Sequence, residues 1–229
     1  MTRPPLALST LVLGIALSAC DALPGRPDPS SRPVAPDSVL DFETLYSANC
    51  SGCHGAAGRL GPAPVLADST YLELVSDAEL GRKIHSGSPG TPMPAFGQSS
   101  GGTLTDSQIS ALVAGIRERW ASATRPGAQR PPYSQPTNAS VSRGRVAFRA
   151  ACGSCHGPDG TGSAQAGSVV DPSYLALVSD QGLRTTVLVG RADLGMPGWK
   201  GGNGMRPLID TEISDIVAWL AAQRISHPG

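Results

Sequence analysis

The chain contains one ordered set of short motifs twice, and this internal duplication limits its possible folds more than any other feature. Each copy begins with Cys-x-x-Cys-His, continues through a Tyr-Leu segment and a Met-Pro segment, and ends in an apolar segment. The offset between copies is about 103 positions throughout. The paired starting residues are Cys50 and Cys152, Tyr71 and Tyr174, Met93 and Met196, and Ile109 and Ile213. The sequence therefore predicts two domains of one type in tandem.

Proline-rich segments set the expected domain boundaries. One segment follows the N-terminal region and another separates the two copies, and both are poor in apolar residues. Such composition favours an extended, semi-rigid chain over a packed element. We expect a tether at 20–36, a first domain at 37–120, a linker at 121–139 and a second domain at 140–225.

The N-terminus has the features of an export signal. Arg3 precedes an apolar run from Leu6 to Ala16 that is too short to span a bilayer comfortably. The residues Leu-Ser-Ala before Cys20 complete a sequence that resembles the bacterial lipobox. We therefore expect residues 1–19 to be removed and Cys20 to carry a lipid. The alternative is an ordinary signal peptide that happens to contain a cysteine.

The two Cys-x-x-Cys-His motifs predict attachment sites for haem c. The two thiols of one chain turn can reach the two vinyl groups, and the adjacent histidine can bind the iron. A zinc site would need two closely spaced Cys-x-x-Cys pairs or further histidine ligands, and a thioredoxin-like site would need a flanking βαβ pattern. The expected thioether cysteines are Cys50, Cys53, Cys152 and Cys155, and the expected iron ligands are His54 and His156.

The cysteine count agrees with this assignment. The chain has five cysteines, so four thioethers and one lipid leave none for a disulfide or a nucleophile.

Composition points the same way, because 28 glycines, 21 prolines and only 4% aromatic residues give little bulk for two small cores. Two covalently held haem groups would supply that apolar volume.

Met93 and Met196 are the expected sixth ligands. Each lies in a loop stiffened by proline, at the same point of its copy. A methionine opposite histidine raises the reduction potential of haem iron. His85 is the rival to Met93, but its counterpart is Leu188, so we expect a surface role or a supporting role beside the site. Met205 has no counterpart in the first copy and is expected to fill space or lie in a loop.

Helical periodicity is the only secondary-structure signal in either copy. Helices are expected at about Val39–Ala48 and Val141–Ala151, leading into the cysteines. Ser76 with Glu79, and Thr105 with Gln108, form capping boxes at later helix starts. No alternation typical of strands is present, so the predicted fold class is all-α.

Each copy resembles a class I cytochrome c domain, a few helices wrapped around a covalently attached haem. The family's first helix carries Gly-x-x-x-aromatic-x-x-x-Cys, which the second copy matches at Gly144 and Phe148. The family's last helix carries an aromatic at the crossing, which aligns with Trp219. In the first copy these positions hold Phe42 and Gly115. We interpret this as an exchange of sides that preserves the helix crossing.

The resemblance also implies a backbone acceptor for the ligand histidine. In the family, the carbonyl of a Pro-x-Leu segment accepts a hydrogen bond from the histidine Nδ1–H. Pro64 begins such a segment in the first copy, with Pro62 as the fallback. The second copy has Ala-Gly-Ser at 166–168 and no proline, so its acceptor stays open.

The resemblance and the filled ligand set together imply electron transfer and not an enzyme. Expected partners are redox proteins of respiration or photosynthesis: a membrane oxidoreductase, an oxidase or a soluble carrier. The formal charge is zero without a Lys/Arg run, which argues against nucleic acid. The expected location is a bacterial membrane surface facing the periplasm or exterior, through the lipid anchor. The alternative is a two-haem redox enzyme, a peroxidase or a sulfur-compound dehydrogenase, which would need an openable iron or a cysteine ligand.

Overall fold

The computed structural model describes residues 28, 31, 33–122, 130–134 and 138–225. The predicted signal peptide and Cys20 lie outside the described residues, and the tether and the linker are described only in part. Internal contacts divide the chain into one unit at Met1–Ser38 and a second at Val39–Gly229. In the first unit, Pro36–Ser38 forms a short 3-10 helix. The second unit contains both copies of the repeat.

Five α-helices lie in each copy. In the first copy they are α1 Phe42–Asn49, α2 Ser51–His54, α3 Ser69–Leu74, α4 Asp77–Ser86 and α5 Asp106–Trp120. In the second copy they are α6 Val141–Ala151, α7 Gly153–His156, α8 Pro172–Leu177, α9 Asp180–Val189 and α10 Asp210–Ala221. The described residues contain isolated β-bridges but no strand, which confirms the all-α prediction. None of the described helices is both long and apolar enough to cross a bilayer.

Polar side chains decide where the helices begin. Asp41 accepts from the backbone N–H of Thr44 at 2.8 Å, so α1 begins at Phe42, three residues later than its apolar pattern suggested. The capping box of Ser76 with Glu79 forms as predicted, and so does that of Thr105 with Gln108. In the second copy the Ser179 side chain alone caps α9. This helix keeps the length of its counterpart, so one cap bond is sufficient.

The short helices α3 and α8 were not predicted. Each begins after an aspartate, Asp68 or Asp171, whose carboxylate accepts from the backbone N–H of the tyrosine three residues later. In α8 a proline also occupies the first turn. The signal was present in the sequence, but a helix of six residues is too short to show apolar periodicity.

The helix crossings confirm the predicted exchange of a glycine and an aromatic. A Cβ on Gly115 would lie 2.1 Å from the Phe42 ring, so the first copy fills this space from α1. A Cβ on Gly144 would lie 1.9 Å from the Asp215 carbonyl oxygen and 2.8 Å from the Trp219 Cβ. The backbones of α6 and α10 therefore touch at a point where only glycine fits.

The tryptophan of the last helix stands at different positions in the two copies. The ring of Trp120 lies against Gly58, and the ring of Trp219 lies against the corresponding Gly160. Trp120 aligns in sequence with Arg224, not with Trp219. The two rings occupy equivalent places although the residues differ in position by more than one helical turn.

The arginines at the end of the last helix are displaced in the opposite direction, and Arg224 lies just beyond the end of α10. Arg117 donates to the carbonyls that end α3 and to Asp77 at the start of α4. Arg224 donates to the carbonyls that end α8 and to Asp180 at the start of α9. By position Arg117 aligns with Ala221. Each copy thus closes the same helix corner with an arginine from a different turn.

Candidate haem-binding sites

The first attachment motif forms one tight helical turn. The short helix α2 carries Cys53 and His54, and the backbone N–H of His54 donates to the Cys50 carbonyl at 2.9 Å. Gly55 ends the turn at φ +80, where a Cβ would lie 1.9 Å from the Arg59 carbonyl oxygen. The Tyr46 hydroxyl donates to the Gly55 carbonyl at 2.8 Å. These bonds hold Cys50, Cys53 and His54 within one turn of chain.

The second attachment motif repeats this turn. The helix α7 carries Cys155 and His156, and the His156 N–H donates to the Cys152 carbonyl at 3.0 Å. Gly157 ends the turn at φ +77. Burial raises the pKa of Cys152 to about 11, and the neighbouring Cys155 adds to the rise. The corresponding Cys50 has its pKa raised to about 11 for the same reasons, so both thiols are neutral at pH 7.

Both motif histidines are oriented by a backbone carbonyl. His54 Nδ1 lies 2.8 Å from the Pro64 carbonyl oxygen, the acceptor that the sequence indicated. His156 Nδ1 lies 2.9 Å from the Gly167 carbonyl oxygen, which identifies the acceptor left open in the second copy. A ring that donates through Nδ1 keeps the Nε2 lone pair free for a metal. Burial lowers the pKa of His54, with the bond to Pro64 opposing the shift, so the neutral ring is favoured.

The two methionine loops are built alike. The Met93 carbonyl accepts from the backbone N–H of Ser88 at 3.0 Å, and the Met196 carbonyl accepts from Arg191 at 3.0 Å. A glycine at positive φ begins each loop, Gly87 at +67 and Gly190 at +76. A Cβ at either glycine would lie 2.6 Å from backbone atoms of the loop that it closes. The loop conformation therefore depends on glycine at these two positions.

A cavity in the second copy brings three predicted site residues together. Cys152, His156 and Met196 all line it. The empty space within it, counting the open solvent at its mouth, is about 380 Å³. The other lining residues are mostly apolar and none is charged: Phe148, Val169, Tyr174, Leu183, Thr186, Val187, Ile216 and Leu220. A thiol, an imidazole and a thioether within apolar walls suit a haem group and do not form a four-ligand zinc set.

His85 and Met205 lie in other surroundings. His85 Nε2 is 2.8 Å from the Ser99 hydroxyl, and Nδ1 is 3.2 Å from the hydroxyls of Ser86 and Ser100. Both ring nitrogens thus face serine hydroxyls at the protein surface. Met205 packs against the second core and exchanges two backbone hydrogen bonds with Gly202 at 2.9 Å. Both residues behave as the sequence suggested.

Two features of the second site were not predicted. Gly167 contributes only a carbonyl, which any residue possesses, so no sequence signal could have identified it. Tyr174 lines the cavity, and its segment had been noted only as a landmark of the repeat. Its recurrence at nearly the same distance from the cysteines in both copies was the signal that could have assigned it to the wall of a site.

Sequence comparison places both copies in one family. Residues 37–114 and 139–220 each match the family described as cytochrome C oxidase, cbb3-type, subunit III. The chain is also 28% identical over 174 residues to the cbb3-type cytochrome c oxidase subunit CcoP of Azospirillum sp. (strain B510). That similarity covers 68% of this chain and 54% of the relative. The chain therefore spans about half the length of the curated relative that it matches.

Comparison with solved structures gives a more distant similarity. A chain of the reducing HAO-like protein complex of Kuenenia stuttgartiensis is 17% identical, with a TM-score of 0.46. The similarity covers 84% of this chain and all of the other.

Proposed function

Because the chain belongs to the family of cytochrome C oxidase, cbb3-type, subunit III, we propose that it is an electron-transfer subunit of an oxidase complex. It is a c-type cytochrome with two cytochrome c domains, and c-type haem is its cofactor. The relative named as an oxidase subunit supports the choice of partner. The two-haem enzyme considered from sequence is not favoured by these similarities. We further propose that the subunit itself catalyses no bond chemistry.

The cavity of the second copy carries this proposal. Cys152 and Cys155 are proposed to form thioethers, with His156 and Met196 as the axial ligands. The bond from His156 to Gly167 would fix the imidazole, and the apolar side chains would exclude water. A c-type haem bound between histidine and methionine supplies a one-electron iron couple of raised potential. We propose Cys50, Cys53, His54 and Met93 for the same roles in the first copy, with Pro64 orienting His54.

The expected domain boundaries remain part of the proposal. Residues 37–120 and 140–225 would each hold one haem, and both matched segments fall within these ranges, apart from residue 139. Residues 1–19 would be a signal peptide, 20–36 a tether and 121–139 a linker. The proposed site of action is the outer face of a bacterial membrane.

Spectroelectrochemical titration of the purified protein tests the proposed function. We expect two one-electron couples, two covalent haem groups by mass spectrometry, and the red-edge absorption band of methionine–iron ligation at an intensity for two irons. Carbon monoxide should bind neither ferrous iron, because both axial positions are filled. Carbon monoxide binding by the untreated protein, or turnover of peroxide, would contradict the proposal and favour an enzyme.

The lipid anchor has a separate test. Cys20→Ser should move the protein from the membrane fraction to the soluble fraction of cells while both haem groups stay attached, because a single acylated residue would provide the only covalent anchor proposed. Mass spectrometry of the mature protein should show loss of residues 1–19 and acyl groups on Cys20. A variant that remains with the membrane would indicate a partner protein or another segment as the anchor.

A further inference from the structure

The described part of the linker packs against the first copy. The Tyr133 ring contacts the Tyr71 ring of α3 edge-on, with centroids 6.3 Å apart. Arg130 pairs with Glu73 of α3, with Nε and Oε2 3.6 Å apart, and both side chains are mostly buried. Pro131 between them is buried. Residues 130–134, which we call the wedge, therefore differ from the extended linker that their composition suggested.

A buried arginine holds the wedge against the second copy. Arg184 of α9 is 0% exposed. Its guanidinium donates to the Pro132 carbonyl at 2.7 and 3.1 Å and to the Tyr133 carbonyl at 3.2 Å. It also contacts the Ser214 hydroxyl at 3.0 Å and the Asp210 carboxylate at the start of α10.

The partners of Arg184 explain how its charge can be buried. A buried arginine is unfavourable unless hydrogen bonds and an opposite charge compensate it. Three of its hydrogen bonds go to wedge carbonyls, so Arg184 and the wedge depend on each other. Gln181, one turn earlier in α9, donates to the Tyr133 carbonyl at 2.8 Å and adds to the same attachment.

The wedge and Arg184 belong to the junction and not to the repeated domain. At the positions aligned with Arg184 and Gln181, the first copy has Gly81 and Ala78. Neither of these residues could donate a side-chain hydrogen bond. The contacts are therefore specific to the second copy, where it meets the first.

One element joined at this junction, α9, lines the second cavity, and the other, α3, is the counterpart of a helix that lines it. Leu183 and Val187 of α9 line the second cavity, on either side of Arg184 in sequence. Helix α3 packs against α9, where Leu74 contacts the second core and Val189 contacts both cores. Tyr71 of α3 is the counterpart of Tyr174, which lines the second cavity.

We propose that Arg184 is a positioning residue for electron transfer between the two haem sites. Arg184 binds the wedge to α9, and the wedge and α9 both pack against α3. Helix α3 of the first copy is therefore held in a fixed position relative to α9 of the second copy. The inference rests on the proposed function, because it matters only if both sites hold haem. The inference concerns the distance and orientation between the two haem sites, and not the reduction potential of either haem.

The test measures electron equilibration between the two haem groups of the full-length protein after a one-electron photochemical pulse. In Arg184→Met we expect the single wild-type rate to be replaced by a spread of slower rates, because electron transfer slows as the distance between the two haem groups increases and varies. Hydrogen exchange at the three wedge amides, those of Arg130, Tyr133 and Ser134, should accelerate at least about tenfold, because the wedge loses its bonds to a charged donor. Both reduction potentials should stay at their wild-type values, which a general loosening of the sites would not allow.

Further variants keep the test decisive. Arg184→Lys retains a donor for the wedge carbonyls and should recover part of the rate. If Arg184→Met fails to fold, Tyr133→Ala provides the same measurement from the wedge side, because it removes the contact with Tyr71 and leaves Arg184 in place. Arg145→Met is the matched control, since this exposed arginine pairs with Asp159 on the surface, and it should change neither the rate nor the exchange.

Two outcomes separate this inference from the proposed function. A wild-type protein without two haem couples would overturn the proposed function. A wild-type protein with two couples, whose equilibration rate is unchanged in Arg184→Met and Tyr133→Ala although exchange across 130–134 has accelerated, would overturn only the role of Arg184.

Discussion

Met196→Ala should lower the reduction potential of one haem by at least about a tenth of a volt and leave the other unchanged. Methionine opposite histidine stabilises ferrous iron, and the choice of axial ligands sets potentials over a range of roughly 0.8 V. The vacated position should also accept carbon monoxide or cyanide, which the wild-type protein should not bind. Spectroelectrochemical titration with and without these ligands measures both effects, and Met93→Ala should alter the other haem.

Met205→Ala is the matched control for both methionine variants. Its side chain packs against the second core and lies in a turn outside the cavity lining, so its loss should affect stability and neither potential. His85→Ala should likewise leave the first haem unchanged, because its ring nitrogens face serine hydroxyls. A large fall in potential in His85→Ala, with Met93→Ala silent, would mean that His85 and not Met93 binds the first iron.

Gly144→Ala should destabilise the second domain by about 3 kcal/mol or more, at or above the upper end of the range for overpacked cores. The added methyl group would lie 1.9 Å from the Asp215 carbonyl oxygen, and the obstacle is backbone, which cannot rotate away. Helices α6 and α10 would have to separate, which would also disturb the contact of Phe148 with Trp219. Denaturant unfolding followed in the Soret band of the full-length protein gives the change in free energy.

Gly81→Ala provides the opposite expectation in the other copy. Gly81 lies within α4, and a Cβ there would be 3.8 Å from Val113, an ordinary contact. Alanine should therefore stabilise the first domain by about 0.4–1 kcal/mol, through the lower entropy of the unfolded chain.

A loss below about 1 kcal/mol in Gly144→Ala, a cost within the common range for point substitutions, would show that the crossing can relax and that its close contact is not essential.

The repeat, the attachment motifs and the capped helix starts could be predicted because each depends on residues close in sequence. The contact of Phe42 with Gly115 could also be predicted, since the aligned copies differ there in a complementary way. The hydrogen-bond acceptor of His156 could not be predicted, because Gly167 acts through its backbone carbonyl. The packing of the wedge could not either, since residues 130–134 look like an extended linker until Arg184 of a distant helix is seen to bind their carbonyls.

Sequence alignment could not predict that the displaced tryptophans and arginines occupy equivalent places, and the reason is geometric. An alignment pairs residues by position along the helix, but successive turns lie only about 5.4 Å apart, so long side chains on different turns can reach one place. Trp120 and Arg117 can therefore reach the places that Trp219 and Arg224 fill in the second copy.

This displacement means that the two copies are no longer interchangeable parts. A graft of the last helix of one copy into the other would bring an indole and a guanidinium on the wrong turns, and would leave Phe42 without its glycine or Gly144 without its tryptophan. Substitutions that one copy tolerates can therefore be harmful at the aligned position of the other. Within each domain, a substitution at one of these positions requires a compensating substitution at another. The two sequences can therefore become increasingly different while both pockets keep the same structure.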